Sequence, residues 1–256
     1  MPVLEARGLS RSFKGRVVVQ QVDLAVHGGE IVGLLGPNGA GKTTIFSMMI
    51  GLIPPTRGAI LLDGEEITGM PMYLRARRGI SYLPQEASIF RKLTVAENLM
   101  AILETRDMEP ADRRARLQSL LADMGLTHLA QNKAYTLSGG ERRRLEIARA
   151  LVISPRFMLL DEPFSGIDPI IIMELQRIIS HLKQNGIGIL MTDHNVQKTL
   201  EVVDRAYLIY NGKILLSGTP EEISNNTQAR AVYLGDQHVT IQGGQAPRGT
   251  SPQTSG

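Results

Sequence analysis

Cysteine is missing from this chain altogether. Disulfides and thiolate metal sites are thereby excluded, and a reducing compartment suits the composition. Long apolar runs are missing too. Nothing approaches the roughly 20 consecutive residues that span a bilayer, and the longest candidate, 45–53, is interrupted by Ser47 and Gly51. Work at a membrane would therefore depend on a partner. The opening residues, Met1-Pro2-Val3-Leu4-Glu5-Ala6-Arg7, lack the basic-then-apolar layout of a signal peptide. Neither sign of charge dominates: 28 Lys and Arg stand against 25 Asp and Glu, a formal net charge of +3. That balance points to no polyanion, and no nucleic-acid partner is expected. There is no internal repeat. The 256 residues, 43% of them hydrophobic, leave room for one large α/β domain or two small ones.

What is present is organised around Gly36-Pro37-Asn38-Gly39-Ala40-Gly41-Lys42-Thr43-Thr44. The apolar run 31–35 before it reads as a buried strand, and the apolar-periodic stretch 45–52 after it as a helix. Strand, glycine loop and helix together make a phosphate-binding P-loop. Glycines at 36, 39 and 41 let the backbone curl into a nest of N–H donors without Cβ clashes. A helix starting near Lys42 aims the positive end of its dipole at the same place. Lys42 adds a cation for the β- and γ-phosphates, and the Thr43 hydroxyl can complete a Mg²⁺ shell. A nucleoside triphosphate is the expected ligand.

Around this loop the chain reads as follows. Residues 3–26 alternate apolar and polar, as antiparallel strands do. Phe13 in this region is either a core residue or a platform for a nucleobase. A strand at 59–64, a short helical patch at 72–77 and a buried strand at 80–84 lead to Gln85, at the carboxyl end of that strand. Thr94 to Glu97 is a capping box opening a helix to about Leu103, and 110–124 is a second amphipathic helix. We expect 87–153 to be a helical subdomain inserted in the sheet domain, with Arg113, Arg114 and Arg116 on a solvated face.

Leu137-Ser138-Gly139-Gly140-Glu141 opens a helix to about Ile153. Ser138 and Glu141 suit a capping box, but two glycines weaken a first turn and fit the close approach of a bulky anion. Arg142, Arg143 and Arg144 continue the helix as its wet face. The apolar strand 157–160 ends in Asp161 and Glu162, adjacent acids that are hard to justify as packing. Asp161 suits a Mg²⁺ shell, and Glu162 is placed to orient and deprotonate a water. Asp168-Pro169 caps a helix to about Lys183. The core strand 187–192 delivers Asp193 and His194 to the phosphate end of a parallel sheet, favouring contact between His194 and a γ-phosphate. Asn211-Gly212 turns a hairpin over 206–216. Thr219-Pro220 caps a terminal helix, a last helical piece reaches about Gly235, and from Gln237 on there is almost nothing to bury.

These stretches in this order resemble the ATP-binding subunits of ABC transporters, over about residues 3–235. The resemblance implies a P-loop NTPase (RecA-like) α/β core with an antiparallel β-subdomain and the helical insertion. It makes 36–43 the Walker A loop and 157–162 the Walker B strand with its catalytic Glu162. Gln85 becomes the Q-loop and a second Mg²⁺ contact, 137–141 the signature, Asp168 the D-loop, His194 the switch histidine and Phe13 the adenine-stacking aromatic. ATP and Mg²⁺ are implied. So is a head-to-tail homodimer in which Ser138, Gly139 and Gly140 of one copy close over the nucleotide of the other. The signature here ends in Glu141 rather than the commoner Gln, and the D-loop reads Ser-Gly-Ile-Asp.

Other P-loop classes fit less well. Asn132-Lys133-Ala134-Tyr135 lacks the Asp with which a GTPase reads guanine. Gln85 and Ser138 stand 53 residues apart, a compact insertion of transporter type rather than that of a DNA-repair or ribosomal ATPase. Within the transporters, residues 82–95, 137–151, 161–169, 192–195 and 233–235 resemble the ATPases of lipopolysaccharide export, and branched-chain amino acid importers are the alternative. The resemblance implies a cytoplasmic subunit on the inner face of the inner membrane. Its partners would be integral membrane subunits resembling LptF and LptG, with LptC, contacted through Phe90 and Arg91.

Overall fold

The computed structural model describes residues 1–231. The segment 233–235, the end of the expected last helical piece and the tail at 236–256 lie outside the described residues.

The two strand types separate into two sheets. β1 (Val3–Phe13), β2 (Arg16–His27), β4 (Arg57–Leu62) and β5 (Glu65–Glu66) form an antiparallel sheet in the order β2-β1-β4-β5. The second sheet runs β10-β9-β3-β8-β7-β6, from β3 (Ile31–Leu35), β6 (Ile80–Leu83), β7 (Phe157–Asp161), β8 (Gly188–Thr192), β9 (Arg205–Tyr210) and β10 (Lys213–Gly218). Its strands are parallel except for edge strand β10. Strands β3, β7 and β8 are buried at every position, as strands covered on both faces must be.

Alternation sorts their side chains between two cores. Val32, Leu34, Leu159 and Leu190 pack with the antiparallel sheet and with α1 (Lys42–Ile50), while Ile31, Leu35, Met158, Leu160, Ile189 and Met191 pack on the opposite side. That second core also takes in α3 (Val95–Leu103), α4 (Pro110–Asp123), α5 (Gly139–Leu151) and α6 (Pro169–Gln184). Between β5 and β6 lies α2 (Met72–Arg77), and after β8 come α7 (Val196–Leu200), α8 (Pro220–Asn225) and α9 (Thr227–Ala229). Capping boxes are formed at Thr94 and Glu97, Ser138 and Glu141, and Thr219 and Glu222. The β9–β10 turn places Asn211 at φ 47 and Gly212 at φ 78, the left-handed pair that a two-residue hairpin needs.

Parallel strands put their carboxyl ends on one edge. The chain leaving β3, β6, β7 and β8 therefore delivers the P-loop, Gln85, Glu162 and His194 to the same border of the sheet. The far end of α1 is held as well. Arg75, fully buried, donates to the carbonyls of Met48 (2.8 Å) and Met49 (2.7 Å) at the end of α1, and to those of Thr68 and Met70. Burial pushes its guanidinium down to about 10.

Candidate nucleotide site

The P-loop is braced from behind and open in front. A Cβ on Gly36, at φ 155, would stand 2.2 Å from the Ile209 carbonyl oxygen, so only glycine fits against β9. The Gly212 N–H donates to the Ala40 carbonyl at 3.1 Å, tying the loop to the hairpin turn. Gly39 and Gly41 take φ 77 and 112. The backbone N–H groups of Gly39, Gly41, Lys42, Thr43 and Thr44 have no acceptor among the described residues. Five open donors at a helix N-terminus fit a polyphosphate. Lys42 Nζ donates to the carbonyls of Gly36 (2.7 Å) and Pro37 (3.1 Å), so the ammonium is folded over the same loop. Burial lowers its pKa, opposed by the charges of Glu162 and Asp161. Pro37 is partly buried, Asn38 is exposed at the loop tip and Thr43 is exposed at its base.

The carboxylates lie beside it. Asp161 ends β7 in register with Thr192 of β8, whose Oγ1 donates to Asp161 Oδ1 at 2.7 Å. The Tyr82 hydroxyl approaches the other oxygen at 3.4 Å. Burial first, then Asp161, pushes that phenol up to about 12. Among the described residues no three His, Cys, Asp or Glu side chains are grouped to hold a metal. Thr43, Asp161 and Gln85 offer oxygens, the hard donors that Mg²⁺ prefers.

Glu162 takes φ 47, a left-handed backbone that a glutamate rarely adopts. Its carboxylate is gripped on both oxygens: Gln85 Nε2 donates to Oε2 at 2.6 Å, and His194 Nε2 lies 2.7 Å from Oε1. Glu162 is buried and His194 is half exposed. A cleft of about 150 Å³ opens at this carboxylate and is lined by Gln85, Gly139, Arg143, Glu162 and Gly166. A carboxylate held this way can take a proton from a water in front of the P-loop.

A family model describing ABC transporters matches residues 19–165. The chain belongs to the ABC transporter family. It is an ATP-binding, ATP-hydrolysing subunit coupled to transport. Over 238 residues it is 54% identical to the lipopolysaccharide export system ATP-binding protein LptB of Haemophilus influenzae, covering 93% of this chain and 99% of that one. Against the protein of the same name from Escherichia coli K12 it is 52% identical over 237 residues, covering 92% and 98%. Among solved structures it resembles cbiO1 from Clostridium perfringens, part of the ABC transporter complex cbiONQ. The TM-score there is 0.81 at 26% identity, over 90% of this chain and 94% of that one. A second model, describing branched-chain amino acid ATP-binding cassette transporters, matches residues 213–239, of which those after 231 lie outside the described residues.

Other expected residues of this ABC transporter subunit stand apart from the P-loop contacts. Ser138 caps α5 and Asp168 caps α6, each exposed. The two signature glycines differ. A Cβ on Gly139 would meet nothing within 4 Å, whereas on Gly140 it would meet Ile171 Cγ2 at 2.8 Å. The space that a side chain at Gly140 would need is thus taken by α6. Phe13 is 41% exposed with Arg11 stacked 4.7 Å from its ring centroid, so it is no core residue. Phe90 is also half exposed, under the Arg149 guanidinium at 4.5 Å, with exposed Arg91 beside it.

One expectation fails at Arg143, which is not on a wet face. It is 6% exposed, pairs with buried Glu146 at 2.8 Å, and donates to the carbonyls of Pro84 (3.1 Å) and Glu162 (3.4 Å). Glu146 in turn accepts from the Ser88 N–H at 3.2 Å. The pair thus ties α5 to the segment around Gln85. Arg116 is likewise not simply solvated, since it donates to the Leu151 carbonyl at 3.0 Å. The sequence reading missed Arg75 and the Arg143–Glu146 pair because a charge run carries no sign of which member turns inward. The nearest signal is helical position: Arg143 falls four before core Ile147, the spacing that shares a helix face.

Proposed function

We propose that this subunit powers extraction of lipopolysaccharide from the inner membrane, as one of two copies that close head to tail on ATP. The reading rests on more than half of all positions being identical to LptB proteins along nearly their whole length. The importer model spans only a short carboxyl-terminal stretch, and so favours a common ancestry more than a common substrate. Each copy supplies a P-loop, and the other's Ser138, Gly139 and Gly140 complete the chamber, excluding water and strengthening every charge contact inside.

In the closed chamber, Lys42 and the open N–H groups of 39–44 bind the β- and γ-phosphates, and Phe13 stacks on adenine. Thr43, Asp161 and Gln85 would hold Mg²⁺, which neutralises phosphate charge when bound. Glu162 accepts the proton of the attacking water while Gln85 and His194 orient it, and His194 meets the γ-phosphate. Asp168 sits at the seam between copies. Loss of the γ-phosphate removes the bridge, and the copies part.

Among the described residues no helix is long and apolar enough to cross a membrane. In this reading coupling runs through membrane subunits of the LptF and LptG type, with LptC, at the cytoplasmic face. A groove of about 460 Å³ lined by Leu52, Met72, Tyr82, Ile102, Arg149 and Ile153 lies between α2 and helices α3 and α5. We read residues 87–153 as the helical subdomain that moves against the sheet core, and Phe90 and Arg91 as the anchors of a membrane-subunit helix seated there. Phe90→Ala should keep ATPase activity in the isolated subunit and lose co-purification with membrane partners. ATP-dependent release of lipopolysaccharide from proteoliposomes carrying the whole complex tests the substrate, and release of none would overturn the assignment.

A further inference from the structure

The carboxyl end of β8 presents three successive residues to the chain that follows β7. Thr192 accepts the Glu162 N–H on its carbonyl at 3.0 Å and again on Oγ1 at 3.2 Å. His194 meets the Glu162 carboxylate at 2.7 Å. Between them Asp193 is 2% exposed, and its Oδ2 accepts the Phe164 N–H at 2.8 Å while Oδ1 accepts the Asn195 N–H at 2.9 Å. We infer that Asp193 is a positioning residue for ATP hydrolysis, one buried carboxylate that fixes the chain after Glu162 to the chain after His194 and so sets how that pair meets.

The intervening residue explains why such a tie is needed. Pro163 has no N–H to offer, so the backbone donors nearest the end of β7 are the N–H groups of 162 and 164. β8 takes both. The left-handed backbone of Glu162 persists only where its surroundings over-determine it, and Thr192 and Asp193 do so from either side of Pro163. A carboxylate suits the place because two N–H donors converge on it. An asparagine could accept one and would turn an NH₂ group toward the other. The cost of the charge there is visible: burial pushes the Asp193 carboxyl up, and the Asn195 and Phe164 N–H groups pull it back.

The inference rests on Glu162 being the general base, and the experiment separates the two. Full-length Asp193→Asn and Glu162→Gln are compared with the unaltered protein for kcat by phosphate release, for ATP affinity by titration, and for Tm. Asp193→Asn should leave ATP affinity within about twofold and lower kcat at least about tenfold, since small misplacements of a catalytic group cost up to ~10²-fold. A merely structural Asp193 would lower Tm and leave kcat per folded molecule unchanged, which overturns the inference. A parallel loss of ATP affinity and kcat overturns it too. Should Asp193→Asn not fold, Asp193→Glu keeps both acceptors on a longer arm and should show the same split. If Glu162→Gln turns over normally, the base is misassigned and both readings fall. If it is inactive while Asp193→Asn is normal, only the role of Asp193 falls.

Discussion

His194 Nε2 stands 2.7 Å from Glu162 Oε1, across a gap between the ends of two neighbouring parallel strands. With Gln85 on the other oxygen, the carboxylate has both its acceptor edges occupied by residues from strands on either side of β7. Glu162→Gln should therefore keep its place and its neighbours while losing the ability to take a proton. Turnover should fall by about 10²–10⁴-fold, the range for removal of a general base. ATP binding should persist, and the variant should accumulate as a closed dimer in sizing experiments with Mg·ATP. Rapid phosphate release by this variant would reassign the base.

Lys42 makes the opposite prediction. Its ammonium is held over the loop by two carbonyls, and removal strips one charged contact from the phosphates, worth about 1.5–3 kcal/mol. Lys42→Ala should weaken ATP binding by roughly 10–100-fold. Because burial lowers the pKa of Lys42, the cation is lost at a lower pH than in a free lysine. Affinity should thus decline as pH rises toward 10.5, the ordinary lysine value. Lys42→Arg, which stays charged, should remove that decline. A titration of ATP affinity across alkaline pH checks both.

The buried pair in α5 separates stability from activity. Glu146→Ala leaves the Arg143 charge without its partner and should cost about 3–5 kcal/mol of folding free energy. The double change Arg143→Met, Glu146→Leu should recover most of that, since apolar replacement of buried pairs is often neutral or better. It cannot restore the contacts to the Pro84 and Glu162 carbonyls or to the Ser88 N–H. The double variant should therefore melt near the unaltered protein and still hydrolyse ATP slowly. Full activity would reduce the pair to packing.

These cases mark what could be read from residues alone. Periodicity and turn chemistry exposed the sheet edges, the caps at Thr94, Ser138 and Thr219, and the Asn211-Gly212 turn, because each depends on neighbours in sequence. The P-loop was legible for the same reason. Arg75, Arg143 and Asp193 were not, because an inward-turned charge looks in sequence like an outward one. The backbone of Glu162 was equally hidden: nothing in Asp-Glu-Pro announces a left-handed glutamate, which needs β8 beside it. Phe13 was open between core and surface, and only packing decided that it stays exposed.

Gly139 and Gly140 offer a way to separate the fold of one copy from the closing of two. At Gly140 the side chain of Ile171 already fills the space, so Gly140→Ala forces α5 away from α6 and should destabilise the isolated subunit by about 1–3 kcal/mol, the usual cost of overpacking. Gly139 faces open space in its own subunit and sits one residue beyond the Ser138 cap. Gly139→Ala should leave Tm unchanged or slightly raised, since alanine is the better helix former. It should also leave ATP binding to a single copy untouched. If a second copy presses this helix start onto the triphosphate, the added methyl stands where phosphate must approach, and cooperative ATPase activity should fall at least tenfold in an otherwise intact protein (about 1.4 kcal/mol of transition-state stabilisation). Thermal melts, nucleotide titration and phosphate release on the two single variants give the comparison. A Gly139→Ala protein with normal turnover would mean that the signature helix never meets the nucleotide, whatever Gly140 does for the fold.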